Sequence, residues 1–293
     1  MTTPMRIAGL ANLVPSDAVR GCYGCLDAGA PDDYRQLAAL LVDDWYQRGV
    51  ARAGIGGGQG AGKSTLGRLI TEAGSVFGVH VEVLSMDDFY LTREERERLA
   101  ETVHPLLATR GPPGTHDVAR LRDAIAALGQ PGAVEVPRFD KGTDTRSGSA
   151  TIDGGVDVVV LEGWCVGAPA AESAIDEPIN ALEREHDTDA GWRSYIETAL
   201  NGSYAKLNDD LESMVFLKVP GLDAVRRWRL QQEGERPPEQ RLNAAEVNRF
   251  VEHYERITRR MLATLPSNAD VVVDLDDDHR VAGLRFRGTP RHR

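Results

Sequence analysis

Cysteine is scarce in this chain of 293 residues, and so are long apolar runs and basic residues in excess. Three cysteines, an odd number, give no disulfide framework and fit a reducing compartment. Cys22 and Cys25 form a C-x-x-C, but no second pair completes a zinc site and no thioredoxin-like strand precedes them. They read as ordinary thiols of a helical region, with a half-site shared between subunits or a redox pair as the alternatives. Cys165 reads as a small packing residue. No stretch approaches the length of a membrane-spanning helix. The weakly apolar stretch 7–14 lacks a basic flank and ends at Pro15, so it is not read as a signal peptide. A cytoplasmic location and no membrane partner are expected. Lysine plus arginine number 34 against 45 acidic residues, a formal net charge of −11. That balance argues against a nucleic-acid partner, which needs clustered basic side chains. It leaves room for a local basic pocket that takes an anionic substrate. There are no internal repeats.

The chain does contain a complete G-x-x-x-x-G-K-[ST] pattern: Gly57, Gly58, Gln59, Gly60, Ala61, Gly62, Lys63, Ser64, then Thr65. In such a loop the glycines let backbone N–H groups close around a polyphosphate. Lys63 can reach the β- and γ-phosphates, and the Ser64 hydroxyl can ligate Mg²⁺. Residues 50–55 can form a strand leading into the loop. Leu66, Leu69 and Ile70 fall on one face of a following helix, whose N-terminus adds its positive dipole end. The loop implies a nucleoside triphosphate without saying what is done with it.

Elements alternate along the rest of the chain. Residues 1–50 are expected as a helical segment, notably 34–46, ahead of a P-loop kinase domain over 51–293. Further strands are expected near 79–85, 133–136, 156–161 and 214–219, and a closing hairpin over 269–286. The nearly all-apolar run 156–161 suits a central strand buried on both faces. Helices are expected near 92–101, 117–128, 221–233 and 244–265, with 172–211 polar and mostly helical. Residues 103–115 read as loop, and 142–150 as polar and mobile. Trp45 and Trp192 read as packing residues. The implied fold is a three-layer α/β/α P-loop NTPase with a mostly parallel, doubly wound sheet and a helical lid, its ligands at the carboxyl ends of the strands.

Those strand ends carry the candidate chemistry. Ser85-Met86-Asp87-Asp88-Phe89-Tyr90 places an acidic residue where it can face the γ-phosphate, although Asp87 and Asp88 also suit a turn or the cap of the next helix. Glu162, after the buried strand, occupies the Walker B position. Arg110, Thr115 and His116 lie in a Gly/Pro-rich loop, and Asp117 suits a helix cap. Arg138, Asp140 and Lys141 follow the short strand. Arg226, Arg227 and Arg229 surround Trp228 and form either a solvated helix face or a mobile basic lid.

Five segments in order carry a resemblance: Ser85 to Tyr90; His104-Pro105-Leu106-Leu107 with Arg110 to Asp117; Pro137-Arg138-Phe139-Asp140-Lys141; Leu161-Glu162-Gly163-Trp164; and Trp228-Arg229-Leu230-Gln231. Over about residues 50–285 the chain resembles the D-glycerate 3-kinase family. More distantly it is similar to pantothenate kinase, uridine kinase and phosphoribulokinase. The linker 234–238 lacks the family's glycine-rich, Met-containing approach, and the first fifty residues match no motif. The resemblance implies ATP and Mg²⁺ as cofactors and a small-molecule hydroxyl acceptor, a hydroxy acid. The catalytic candidates are Asp87, Lys63 and Arg229, and Asp87 matches the position that serves as base for the acceptor hydroxyl in the more distant relatives. Ser64, Glu162 and Asp87 are the metal candidates. Asp88, Tyr90, Arg110, Thr115, His116, Arg138, Asp140 and Lys141 are the acceptor-site candidates, and Arg226, Arg227 and Arg229 the lid.

Three functions fit these residues: a kinase for D-glycerate, a kinase for pantothenate, a nucleoside or a sugar, and a nucleotide switch or ATPase with no small acceptor. The last expects an N-K-x-D or an L-S-G-G-Q motif, and the sequence has neither.

Overall fold

A computed structural model of the chain describes residues 16–172, 175–234 and 241–287. The stretch 7–14 and the linker residues 235–238 lie outside the described residues. The strands are β1 (Arg52–Gly57), β2 (Val81–Ser85), β3 (Ala133–Asp140), β4 (Thr145–Asp153), β5 (Val158–Gly163), β6 (Ser213–Lys218), β7 (Val271–Leu275) and β8 (Val281–Phe286). Six of them form one sheet in the order β2-β5-β1-β6-β7-β8, parallel except for β8, which runs antiparallel to β7 at the edge. The fold is the expected three-layer P-loop architecture.

Residue alternation on β5 shows how the layers are filled. Val158 and Val160 join one apolar core, while Val159 and Leu161 join the other. Every residue of β5 is buried, as a parallel strand covered by helices on both faces requires. The first core packs α1 (Asp17–Cys25), α2 (Asp32–Arg48) and α3 (Lys63–Phe77) against the sheet. Trp45 of α2 is fully buried there, and its indole N–H donates to Ser213 Oγ at 3.1 Å. Cys22 is buried in the same core, Cys25 is exposed, and both are free thiols. The second core packs α5 (Val118–Leu128), α7 (Gly191–Ala199), α8 (Ala205–Asp209) and α10 (Ala244–Asn268) on the opposite face. Cys165 and Trp192 are buried in it.

The remaining helices are α4 (Arg93–Thr102), α6 (Ala181–His186) and α9 (Leu222–Gly234). Thr92 caps α4 in a reciprocal capping box with Glu95. Asp87 and Asp88 therefore do not cap that helix; they lie in a single 3₁₀ turn, Met86–Phe89. Asp117 does cap α5, accepting from Arg120 N at 3.1 Å.

One expectation fails. Residues 142–150 are not a mobile polar loop, because most of them belong to β4, which pairs antiparallel with β3 in a separate two-stranded ribbon. The strand expected at 133–136 continues to Asp140. The reason is physical: β4 has no fully buried residue, so no apolar alternation marks it. Backbone pairing and a turn held by Asp140, which accepts from Gly142 N at 2.7 Å and Thr143 Oγ1 at 2.9 Å, make the hairpin.

β1 owes its central place to glycine. A side chain at Gly56 would put its Cβ 2.2 Å from the carbonyl oxygen of Val166, in the segment that crosses over β1 after β5. Gly56→Ala must push that segment outward. It is expected to destabilise the fold by about 1–3 kcal/mol, read as a lowered urea midpoint.

Candidate active site

The phosphate loop joins β1 to α3 at the carboxyl edge of the sheet. Gly60 and Gly62 both have φ of +77°, so a side chain at either position would be strained, and no side chain caps the first turn of α3. The N–H groups of that turn thus face the concavity of the loop. Lys63 folds back over the loop, and Nζ donates to the carbonyl oxygens of Gly57 and Gly58, each at 3.0 Å. Burial lowers the Lys63 pKa, and the charges of Glu162 and Asp87 work against that shift.

Two other side chains hold the loop from behind. The Tyr34 hydroxyl of α2 donates to Ala61 O at 2.7 Å, and His279 Nδ1 lies 3.0 Å from Gly60 O. His279 stacks on Trp228 of α9 with ring centroids 4.1 Å apart, and Trp228 Nε1 donates to Asp277 O at 2.9 Å.

Strand register places the acidic residues. Glu162 lies between Ile55 of β1 and Ser85 of β2, and its Oε1 accepts from Ser64 Oγ at 3.0 Å. This hydroxyl–carboxylate pair is the kind of oxygen donor set that suits Mg²⁺. Asp87, the third metal candidate, is engaged elsewhere. Lys141 Nζ lies 2.7 Å from its Oδ2, and the Tyr90 hydroxyl donates to Oδ1 at 2.9 Å. Burial alone would raise the Asp87 pKa, but Lys141 and Tyr90 outweigh it and hold the carboxyl below its ordinary range.

The ribbon β3–β4 hangs on Asp88. Its two carboxylate oxygens accept from Arg138 Nη1 at 2.7 Å and from Phe139 N at 3.1 Å, across the bulge in β3. The turn of the same ribbon is fixed by Arg96, a fully buried guanidinium. Arg96 donates to Leu91 O, Ala108 O and Asp144 O, and to Asp144 Oδ2 at 2.8 Å. Asp144 also pairs with Arg110, whose guanidinium lies over the Phe139 ring at 5.6 Å. One turn of hairpin thereby ties the Gly/Pro-rich loop to the end of β2.

Within that loop the buried Thr115 hydroxyl is used internally, accepting from Gly111 N at 3.1 Å and donating to Pro112 O at 2.8 Å. His116 is buried and stacks on Tyr90 at 4.4 Å. Burial pushes its pKa down to about 4, with Asp87 opposing the shift, so the ring is neutral at pH 7 and offers no positive charge to a carboxylate. Asp140 serves the hairpin turn.

The arginines of α9 diverge. Arg226 pairs with Asp223 and Glu255, and Arg227 with Asp277 at 2.5 Å. Arg229 pairs with Glu233 and lies over the Phe250 ring at 5.0 Å. Arg226 and Arg229 therefore face α10, while Arg227 faces the β7–β8 turn. Arg226 and Arg227 also line a cleft of about 510 Å³ beside Pro220 and Asp277.

Aromatic residues complete the pocket. The Tyr254 hydroxyl of α10 donates to Arg110 O at 3.0 Å and feels the charges of Asp87, Arg110 and Arg229. Trp164 donates to Gly111 O at 3.1 Å and meets Tyr254 edge-on. Tyr204, at the end of a π-helical turn Leu200–Tyr204, contacts both Gly114 and His116. Sequence reasoning missed Tyr34, Tyr204 and Tyr254. Each stands on a helical stretch outside the five segments that carry the family resemblance, and Tyr34 lies outside its span altogether.

Comparison with known proteins gives the site a context. The chain is 31% identical over 215 residues to an uncharacterized kinase, mug58, of Schizosaccharomyces pombe, covering 69% of this chain and 77% of that one. It is 28% identical over 254 residues to the chloroplastic D-glycerate 3-kinase of Arabidopsis thaliana, covering 77% of this chain and 52% of the plant protein. The chain belongs to the D-glycerate 3-kinase family of P-loop kinases. It is an ATP-dependent kinase, a phosphotransferase acting on an alcohol group. A solved D-glycerate 3-kinase from Cryptococcus neoformans shares the fold, with a TM-score of 0.68 over 88% of this chain and 100% of that one, at 22% identity. No family model matches the chain. Among the described residues no helix is long and apolar enough to cross a membrane.

The Lys141–Asp87 pair has a measurable signature. Without the ammonium, burial is the dominant influence on Asp87 and favours its protonated form. Lys141→Met should therefore move the Asp87 titration midpoint to higher pH, read by carbon NMR of labelled aspartate carboxyls. An unchanged midpoint would show that the pair does not form in solution.

Proposed function

We propose that the kinase transfers the γ-phosphate of ATP to the primary hydroxyl of D-glycerate, giving 3-phosphoglycerate. The observation that carries this reading is the pairing at the end of β2. Asp87 and Lys141 stand 2.7 Å apart, with Arg110 over the neighbouring Phe139. A carboxylate base beside cationic groups matches a molecule with a hydroxyl at one end and a carboxylate at the other. A nucleoside, a sugar or another uncharged acceptor has no negative charge to offer Lys141 and Arg110 in exchange for Asp87 and Asp144. The plant relative named D-glycerate 3-kinase supports the same choice.

The roles follow from position. The N–H groups of the loop and of the first turn of α3 cradle the β- and γ-phosphates. Lys63, already over the loop, offsets charge on the transferring group. Ser64 and Glu162 would hold Mg²⁺, which would neutralise phosphate charge when bound. Asp87 orients the acceptor hydroxyl in line with the γ-phosphate and accepts its proton. Transfer through a loose transition state leaves most of the work to this positioning. Arg110 and Lys141 hold the acceptor carboxylate. Tyr90 and Asp88 keep Asp87 and the hairpin in register, and Arg138 and Asp140 shape the hairpin that presents Lys141. Thr115 shapes the loop that presents Arg110 and His116. Arg229 lends positive charge to the acceptor half through the Tyr254 side. Arg227, on the exposed edge of α9, covers the phosphates with Arg226 behind it.

A coupled ADP-release assay over D-glycerate, pantothenate, uridine and fructose tests the acceptor. Release is expected with D-glycerate, and phosphorus NMR of the product should show a 3-phosphate. Release driven by one of the others instead would replace glycerate by that compound. Asp87→Asn should lower kcat by about a thousandfold while ATP affinity, measured by calorimetry, stays unchanged. Turnover near normal in that variant would remove Asp87 from the base role.

A further inference from the structure

The His116 ring carries an unpaired buried nitrogen. His116 is 6% exposed, and Nε2 has no hydrogen-bond partner among the described residues. The other ring nitrogen, Nδ1, lies 2.5 Å from the Tyr204 hydroxyl. That hydroxyl already accepts from Gly114 N–H at 3.0 Å. Its own proton needs an acceptor, and among the described contacts the only one is His116 Nδ1. A neutral imidazole has one donor and one acceptor nitrogen, so a proton accepted at Nδ1 leaves the ring's own hydrogen on Nε2. Tyr204 thus fixes the tautomer, and Nε2–H is a buried donor without an acceptor. Such an orphan is costly to keep and calls for a partner.

The surroundings indicate the partner. His116 stacks on Tyr90, whose hydroxyl is bonded to Asp87, so Nε2–H belongs to the same pocket as the proposed base. The ring is bordered by Tyr90 and Tyr204 and carries no charge, which suits an uncharged oxygen better than a carboxylate. If the 3-hydroxyl of D-glycerate lies at Asp87 and its carboxylate at Arg110 and Lys141, the oxygen left over is the 2-hydroxyl.

We propose that His116 Nε2–H donates to the 2-hydroxyl of the acceptor, and that Tyr204 is the positioning residue that keeps the proton on Nε2. This rests on the D-glycerate reading above. It makes the kinase selective for a 2-hydroxy acid over the same chain without that oxygen. Tyr204 touches no substrate; it acts through His116.

Tyr204→Phe keeps the ring and removes the hydroxyl. The KM for D-glycerate should rise about fivefold to tenfold, the worth of one neutral hydrogen bond, with the KM for ATP unchanged. 3-Hydroxypropionate, which lacks the 2-hydroxyl, should show the same KM with both chains. An equal loss on the two acceptors would mean a merely structural role and overturn the proposal. Nitrogen NMR of labelled histidine supplies a measurement that needs no turnover. The parent should show the Nε2–H pattern for His116, and a proton on Nδ1 would overturn the proposal whatever the acceptor is. Should Tyr204→Phe fold poorly, His116→Gln and His116→Leu replace it. Glutamine, which retains an N–H donor, should recover part of the preference for D-glycerate over 3-hydroxypropionate that leucine loses, and equal preference in the two variants would overturn the assignment. If the parent releases no ADP with D-glycerate, the acceptor reading fails. The donor is then tested on whichever acceptor is turned over, paired with its analogue lacking the oxygen next to the phosphorylated carbon. A Tyr204→Phe effect confined to the complete acceptor supports the donor role, and its absence overturns it.

Discussion

The orientation of a few peptide planes in the phosphate loop governs everything else in the site. A trans peptide points its C=O and N–H in opposite directions, so an acceptor bond made by one carbonyl aims the next N–H the other way. Tyr34 takes Ala61 O from behind, and this turns the Gly62 N–H away from α2. His279 takes Gly60 O, and Trp228 clamps His279 in place. The loop is thus gripped by α2, by the β7–β8 turn and by α9. The N-terminal helices are part of this grip: α2 shares a core with α3, and Asp33 also accepts from Val281 N. A segment with no motif of its own supports the phosphate loop.

On the acceptor side, charge is balanced locally. Lys141 meets Asp87, Arg138 meets Asp88, and Arg110 meets Asp144. A basic pocket on a chain of net charge −11 is therefore already neutralised by its own carboxylates. Placing like charges side by side would cost far more than these pairs do, and an acceptor carboxylate can enter by exchanging partners with a group already oriented. The balance also shows in Asp87, whose recessed position and cationic neighbour push its ionisation in opposite directions.

Much of the donor half was legible in the sequence, because the phosphate loop is contiguous and its spacing is fixed by backbone geometry. Glu162 could be placed because the apolar run before it announced a buried strand whose end had to face the site. The acceptor half was only partly legible. Asp87, Arg110 and Lys141 could be named, but not their pairing, since Asp144 and Arg96 lie in stretches with no apolar period. The hairpin was misread for the same reason: β4 exposes polar residues on both faces, and its order comes from backbone pairing and the Arg96 contacts. Thr115 looked like a substrate ligand because it sits in a Gly/Pro-rich loop, yet its hydroxyl closes that loop. The tyrosines at 34, 204 and 254 were invisible for another reason. Their function depends on where three helices cross the strand ends, a tertiary fact that no local pattern encodes.

Among the described residues the ribbon β3–β4 pairs only with itself, and its turn end is fastened to the rest by Asp88, Arg96 and Arg110, with Arg146 donating to Tyr90 O. It is a separate unit fastened to the rim of the central sheet. Its ladder is separate from the central sheet, so a change in the ribbon re-aims Lys141 and Arg110 and leaves the sheet's own pairing intact. The charge offered to the acceptor can thus be retuned in the ribbon while the loop that takes the phosphate donor keeps its own supports.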